Sequence, residues 1–75
     1  MYFQRLKDLR KDMDMTQKQI SELLGIQQTV YSRYERGFQN IYIEHLIKLA
    51  DFYGTSTDYI LGRTLVKKPY PKRPH

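Results

Sequence analysis

Four glycines set the frame of this chain: Gly25, Gly37, Gly54 and Gly62 each follow a run rich in apolar residues, most of them recurring at three- and four-residue steps. Such spacing lays apolar side chains along one stripe of an α-helix, and a glycine directly behind the stripe is a helix stop. The first stripe, Phe3, Leu6, Leu9 and Met13, predicts a helix over about residues 2–12. Thr16 then stands as the N-cap of a second, two-turn helix carrying Ile20, Leu23 and Leu24. Gly25 supplies the positive φ of a sharp reversal, and Ile26 plugs the turn. A third helix runs from about Gln27 to Arg36 with Val30, Tyr31 and Tyr34 inward. Beyond the loop 37–41, a fourth carries Ile43, Leu46, Ile47, Leu49, Ala50 and Phe52. Ser56 or Thr55 caps a short fifth helix, Thr57 to Leu61. The expectation is all-α, five helices and no strand.

Seventy-five residues without a cysteine leave one small core, no disulfide framework and no thiolate metal site, so packing alone must hold the fold. The opening residues lack the apolar run of a signal peptide, and no stretch approaches the roughly 18 apolar residues of a membrane span. A cytoplasmic location with no membrane contact is expected. The net charge of +5 is unevenly spread: residues 1–62 carry eight basic and eight acidic residues, whereas Arg63, Lys67, Lys68, Lys72 and Arg73 stand unopposed. Three prolines in the same stretch argue against helix, so residues 63–75 are expected to be a mobile basic tail behind a domain of residues 1–62. Net charge therefore says little about the domain itself.

Pattern says more. In residues 17–36 the positions that a helix-turn-helix motif restricts are all suitably filled. Ile20 and Leu24 face the core, Ser21 is small where two helices cross, Gly25 turns, Ile26 fills the turn, and Tyr31 with Tyr34 seats the second helix. The segments Thr16-Gln17-x-x-Ile20-Ser21-x-x-Leu24-Gly25-Ile26, Ser32-Arg33-Tyr34-Glu35-Arg36-Gly37 and Leu46-x-x-Leu49-Ala50-Asp51 resemble the Cro and phage-repressor-type family of bacterial regulators. Ser56 to Gly62 is similar to that family's fifth-helix ending, so the likeness covers about residues 5–62.

The resemblance implies a five-helix lambda-repressor-like domain that binds double-stranded DNA as a transcription regulator, a repressor occupying a palindromic operator as a homodimer. It assigns base reading in the major groove to Gln27, Gln28, Thr29, Ser32 and Arg33. Phosphate contacts fall to Thr16, Gln17, Lys18, Arg36, Gln39 and Asn40, with Gln17 also bracing Gln28. It pairs Arg10 with Glu35 as a structural ion pair and places the dimer interface at Tyr59, Leu61, Leu65 and Val66. Two positions depart from the family pattern: Gln27 stands where a serine or threonine N-cap is usual, and Tyr31 replaces a small β-branched residue.

Plainer readings remain beside these. Polar residues on an exposed helix face are ordinarily solvated, and Gln27, Gln28 and Thr29 acquire meaning only from the motif around them. Tyr31, Tyr34, Tyr53 and Tyr59 fall at core spacing, which favours packing over base stacking. His45 has no partner at metal-ligand spacing and His75 ends the tail, so no metal and no cofactor are expected. The tail is either an arm on DNA phosphates or a solubilising extension. An antitoxin-like module holding a protein partner is the rival function. An enzyme is not expected, because the chain holds no Ser-His-Asp set, no metal cluster and no Gly-rich phosphate loop.

Overall fold

The computed structural model describes residues 3–69. Five helices follow in order: α1 (Gln4–Asp12), α2 (Gln17–Leu24), α3 (Gln28–Arg36), α4 (Ile43–Tyr53) and α5 (Thr57–Ile60). Among the described residues there is no strand, and no helix is long and apolar enough to cross a membrane. α2 packs on α3, α1 on both α3 and α5, and α4 on α5. Their stripes meet in one core of Phe3, Leu6, Leu9, Ile20, Leu24, Tyr31, Tyr34, Leu46, Leu49, Ala50 and Ile60.

Local chemistry explains the boundaries. Phe3 occupies the N-cap of α1 at φ −108° and ψ 80°, outside the helical region, and turns its ring into the core, so the helix starts at Gln4. The earlier start expected at Tyr2 falls outside the described residues. Thr16 accepts from the Gln19 backbone N–H at 3.1 Å while the Gln19 side chain accepts from the Thr16 N–H at 2.8 Å, a reciprocal capping box. Gly25 sits at φ +70°, and the reversal is closed by Ile26 N–H donating to Ser21 C=O at 3.0 Å. Ser56, not Thr55, caps α5 by accepting from the Tyr59 N–H at 3.0 Å. That helix ends at Ile60, one residue before Leu61.

Four side chains expected in the core are not there. Met13 is exposed because α1 ends at Asp12 and the chain bends through Asp14 at φ +54°, so Met15 packs against the core instead. Ile43, Ile47 and Phe52 lie on the outer side of α4, where no further described helix covers them. The chain past Gly62 folds back over the domain. Arg5 Nη1 donates to Tyr59 C=O at 2.6 Å and to Thr64 C=O at 2.5 Å, with its guanidinium 4.1 Å from the Tyr59 ring centre. The Thr55 hydroxyl donates to Lys67 C=O, and Lys67 Nζ lies 3.8 Å from Asp12 Oδ2. The remainder of the expected tail, from Tyr70 to His75, lies outside the described residues.

Candidate nucleic-acid interface

The N-terminus of α2 and the outer side of α3 meet along one face. On α3, Gln28, Thr29, Ser32, Arg33 and Arg36 recur at helical spacing and turn away from the buried Tyr31, Tyr34 and Glu35. Together with Gln17 they line an open groove of about 300 Å³. The groove carries two guanidinium groups, three polar side chains that can both donate and accept, a threonine hydroxyl with its methyl, and no acid. Arg36 extends from the end of α3 over the Phe38 ring, 5.0 Å from its centre. Beside it, the first backbone N–H groups of α2, at Gln17 and Lys18, have no helical carbonyl to reach and carry the positive end of the helix dipole.

The structure therefore gathers six of the side chains singled out in the sequence and separates the rest. Gln27 is exposed at the N-cap of α3, and its side chain makes no capping bond. The Thr16 hydroxyl is engaged in the capping box, Lys18 is exposed on α2, and Gln39 is half-buried in the loop after α3. Asn40, one residue further, lines a different, apolar groove with Phe3, Ile41, Ile43, Leu46 and Leu61.

A buried ion pair supports the groove from beneath. Arg10 on α1 donates to the Glu35 carboxylate through Nε at 2.7 Å and Nη2 at 3.1 Å, and through Nη1 to Met15 C=O at 2.9 Å. Gln17 Nε2 donates to Glu35 Oε1 at 3.3 Å, which ties a groove-lining side chain to the buried acid. Burial pushes the Glu35 carboxyl up, but the Arg10 hydrogen bonds and charge, with Gln17 and the facing Tyr31, outweigh it and hold the group below its ordinary value. The acid thus stays ionised and neutralised inside the domain. Burial also raises the Tyr31 phenol and pushes Tyr53 up to about 12. Neither hydroxyl meets hydrogen-bond geometry with a partner among the described residues.

Sequence reasoning missed the Gln19 half of the capping box, although Thr16-x-x-Gln19 has the required spacing. It also missed the Gln17–Glu35 bond and the Tyr34 hydroxyl 3.0 Å from His45 Nδ1, for which no local pattern exists because the partners come from different helices. Among the described residues no group of three or more His, Cys, Asp or Glu could hold a metal ion.

A helix-turn-helix family model matches residues 6–60. The uncharacterized HTH-type transcriptional regulator YobD of Bacillus subtilis is 42% identical over 72 residues, covering 96% of this chain and 62% of that protein. The HTH-type transcriptional regulator ImmR of the same organism is 41% identical over 64 residues, 85% of this chain and 50% of the relative. The cryptic phage CTXphi transcriptional repressor RstR of Vibrio cholerae is 35% identical over 54 residues, 72% of this chain and 49% of the relative. The chain thus spans about half to three fifths of the length of these curated relatives. No solved structure matches it. The capped α2, the glycine reversal and α3 laid across it lie within the matched residues and form a helix-turn-helix, and this chain belongs to the helix-turn-helix family of the Cro and phage-repressor type.

Proposed function

We propose that this domain binds double-stranded DNA in the major groove through α3 and acts as a transcription regulator, a repressor that occupies a palindromic operator as a homodimer. The observation that carries the reading is the acid-free polar face with two guanidinium groups where Gln17 of α2 joins Gln28, Thr29, Ser32, Arg33 and Arg36 of α3. An α-helix fits the major groove, and these groups suit its edges: Gln28 can bond adenine N6 and N7, Arg33 guanine O6 and N7, and the Thr29 methyl a thymine methyl. Ser32 lies in the same row, and Gln27, exposed at the N-cap of α3 outside the groove, adds a long polar side chain ahead of it. The α2 N-terminus with Gln17 and Lys18, and Arg36 with the loop through Gln39 and Asn40, suit phosphates on either side and set register rather than sequence. Relatives named as transcriptional regulators and as a phage repressor support the regulatory role.

Selection of sites from random duplex DNA, followed by titration of wild type and Gln28→Ala at two salt concentrations, tests this. The expected result is a palindromic site bound well above random DNA, with Gln28→Ala losing roughly 1–3 kcal/mol of discrimination at one base pair per half-site. Weak, sequence-blind and strongly salt-dependent binding contradicts the assignment of α3 to base reading.

A further inference from the structure

Residues 1–62 balance eight basic residues against eight acids, so the positive excess of this chain lies past Gly62. The first part of that stretch has a fixed path. Residues 63–69 run as a strap from the end of α5 back to the end of α1, held by their backbone. Arg63 N–H donates to Asp58 C=O at 2.8 Å, and Arg5 Nη1 of α1 donates to Thr64 C=O at 2.5 Å. The hydroxyl of Thr55, a residue 4% exposed, donates to Lys67 C=O. The exposed Leu65 and Val66 lie between the last two anchors. A guanidinium on a carbonyl is a charge-assisted bond, and a buried hydroxyl without its acceptor keeps its desolvation penalty, so the fold sets the course of the strap.

That course ends beside two acids. Lys67 Nζ stands 3.8 Å from Asp12 Oδ2, and Asp14 follows in the same exposed turn. The turn leads straight into α2: Met15 N–H returns to Arg10 C=O at 3.1 Å, Thr16 caps the helix, and Gln17 lines the groove assigned to DNA. Uncompensated, Asp12 and Asp14 set negative charge next to the helix N-terminus that suits a phosphate. We infer that the strap is a docked phosphate arm: it brings Lys67 and Lys68 to the acidic turn before α2, where they offset the two acids and contact the DNA backbone flanking the α2 end of the half-site. The inference rests on the proposed DNA reading and extends its footprint beyond the helix-turn-helix.

Three features favour phosphate as the partner of these lysines. The Lys67–Asp12 pair is loose, with side chains 54 and 67% exposed, so it contributes little by itself and Nζ exchanges the carboxylate for a phosphate at small cost. Lys68 is exposed beside it. Residues 1–62 have no net charge with which to attract a polyanion, and the strap supplies one. Because its backbone is already anchored, binding orders little more than two lysine side chains.

The test is titration of the selected duplex at 50 and 200 mM salt with wild type, Lys67→Gln, Lys68→Gln, Arg63→Gln and Thr55→Val, each verified as folded by circular dichroism. NMR relaxation of the strap amides in the free proteins accompanies it. A lysine on a phosphate adds about 0.9 to the slope of log affinity against log salt, or about 3.5-fold over this salt range. Each lysine variant is expected to lose that increment, uniformly across sequences. Arg63→Gln removes the same charge at the other end of the strap and is expected to keep the wild-type slope. Thr55→Val retains every charge but drops one anchor; it is expected to loosen the amides of 66–68 and to give an intermediate slope. Asp12→Asn is expected to tighten binding and to recover part of the Lys67→Gln loss. Lysine variants that keep the wild-type slope overturn the inference, as does an Arg63→Gln variant that lowers it equally. So do strap amides as mobile in wild type as in Thr55→Val. A wild type that binds no duplex overturns the DNA reading and this inference with it, whereas a wild type that binds its site with lysine variants that match it overturns this inference alone.

Discussion

Replacing Arg10 with leucine strands a carboxylate. The Glu35 side chain is 3% exposed, and among the described residues Arg10 supplies two of its three hydrogen bonds, with Gln17 at 3.3 Å supplying the other. Removing one partner of a buried pair costs about 3–5 kcal/mol, because the remaining charge keeps its desolvation penalty without its compensation. A domain of this length has a total stability on the order of 4–11 kcal/mol, so Arg10→Leu brings the fold close to its limit. The response to pH reverses as well. In the wild type the Glu35 carboxyl lies below its ordinary value of 4.5, so its contribution is present above the unfolded value and lost as pH falls through the folded one. In Arg10→Leu, burial acts unopposed by the guanidinium and raises the group. The folded state then binds the proton more readily than the unfolded state, and lowering the pH from neutral stabilises the variant. Arg10→Leu with Glu35→Leu removes both charges and is expected to recover most of the loss. Urea unfolding followed by circular dichroism, from neutral pH to below 5, reads all three. A single variant that loses less than about 1 kcal/mol, or that acid destabilises as it does the wild type, refutes the reasoning.

Gln27→Ser adds the side-chain cap that α3 lacks and is expected to stabilise by about 1 kcal/mol, some 4–8 °C in Tm by thermal melting. Thr16→Ala removes the hydroxyl that accepts from Gln19 and is expected to lose about 1 kcal/mol in the same assay. Tyr53→Phe deletes a buried hydroxyl that meets no partner among the described residues; urea unfolding is expected to show no loss, or a gain of up to about 1 kcal/mol. Gly25→Ala forces a side chain onto φ +70° and is expected to cost about 1–2 kcal/mol, from backbone strain alone, because an added Cβ meets nothing within 4 Å.

The sequence by itself determined what is local. Helix stops at Gly25, Gly37 and Gly54, the cap at Thr16 and the stripes Leu6–Leu9 and Ile20–Leu24 follow from backbone conformation and from spacing along one helix, which a single strand of text records. The outward row of exposed Gln28, Thr29 and Arg33 with half-buried Ser32 was legible for the same reason. Tertiary structure decided what lies between helices. Apolar residues on α4 look alike in sequence, yet Leu46, Leu49 and Ala50 are buried while Ile43 and Ile47 are not, because burial depends on which neighbour arrives to cover them. The same holds for Gln17 against Glu35, for Tyr34 against His45, and for the backbone past Gly62 caught by Arg5 and Thr55. Each joins residues 11 to 59 positions apart, a distance over which periodicity carries no information and only the packed fold sets the contact.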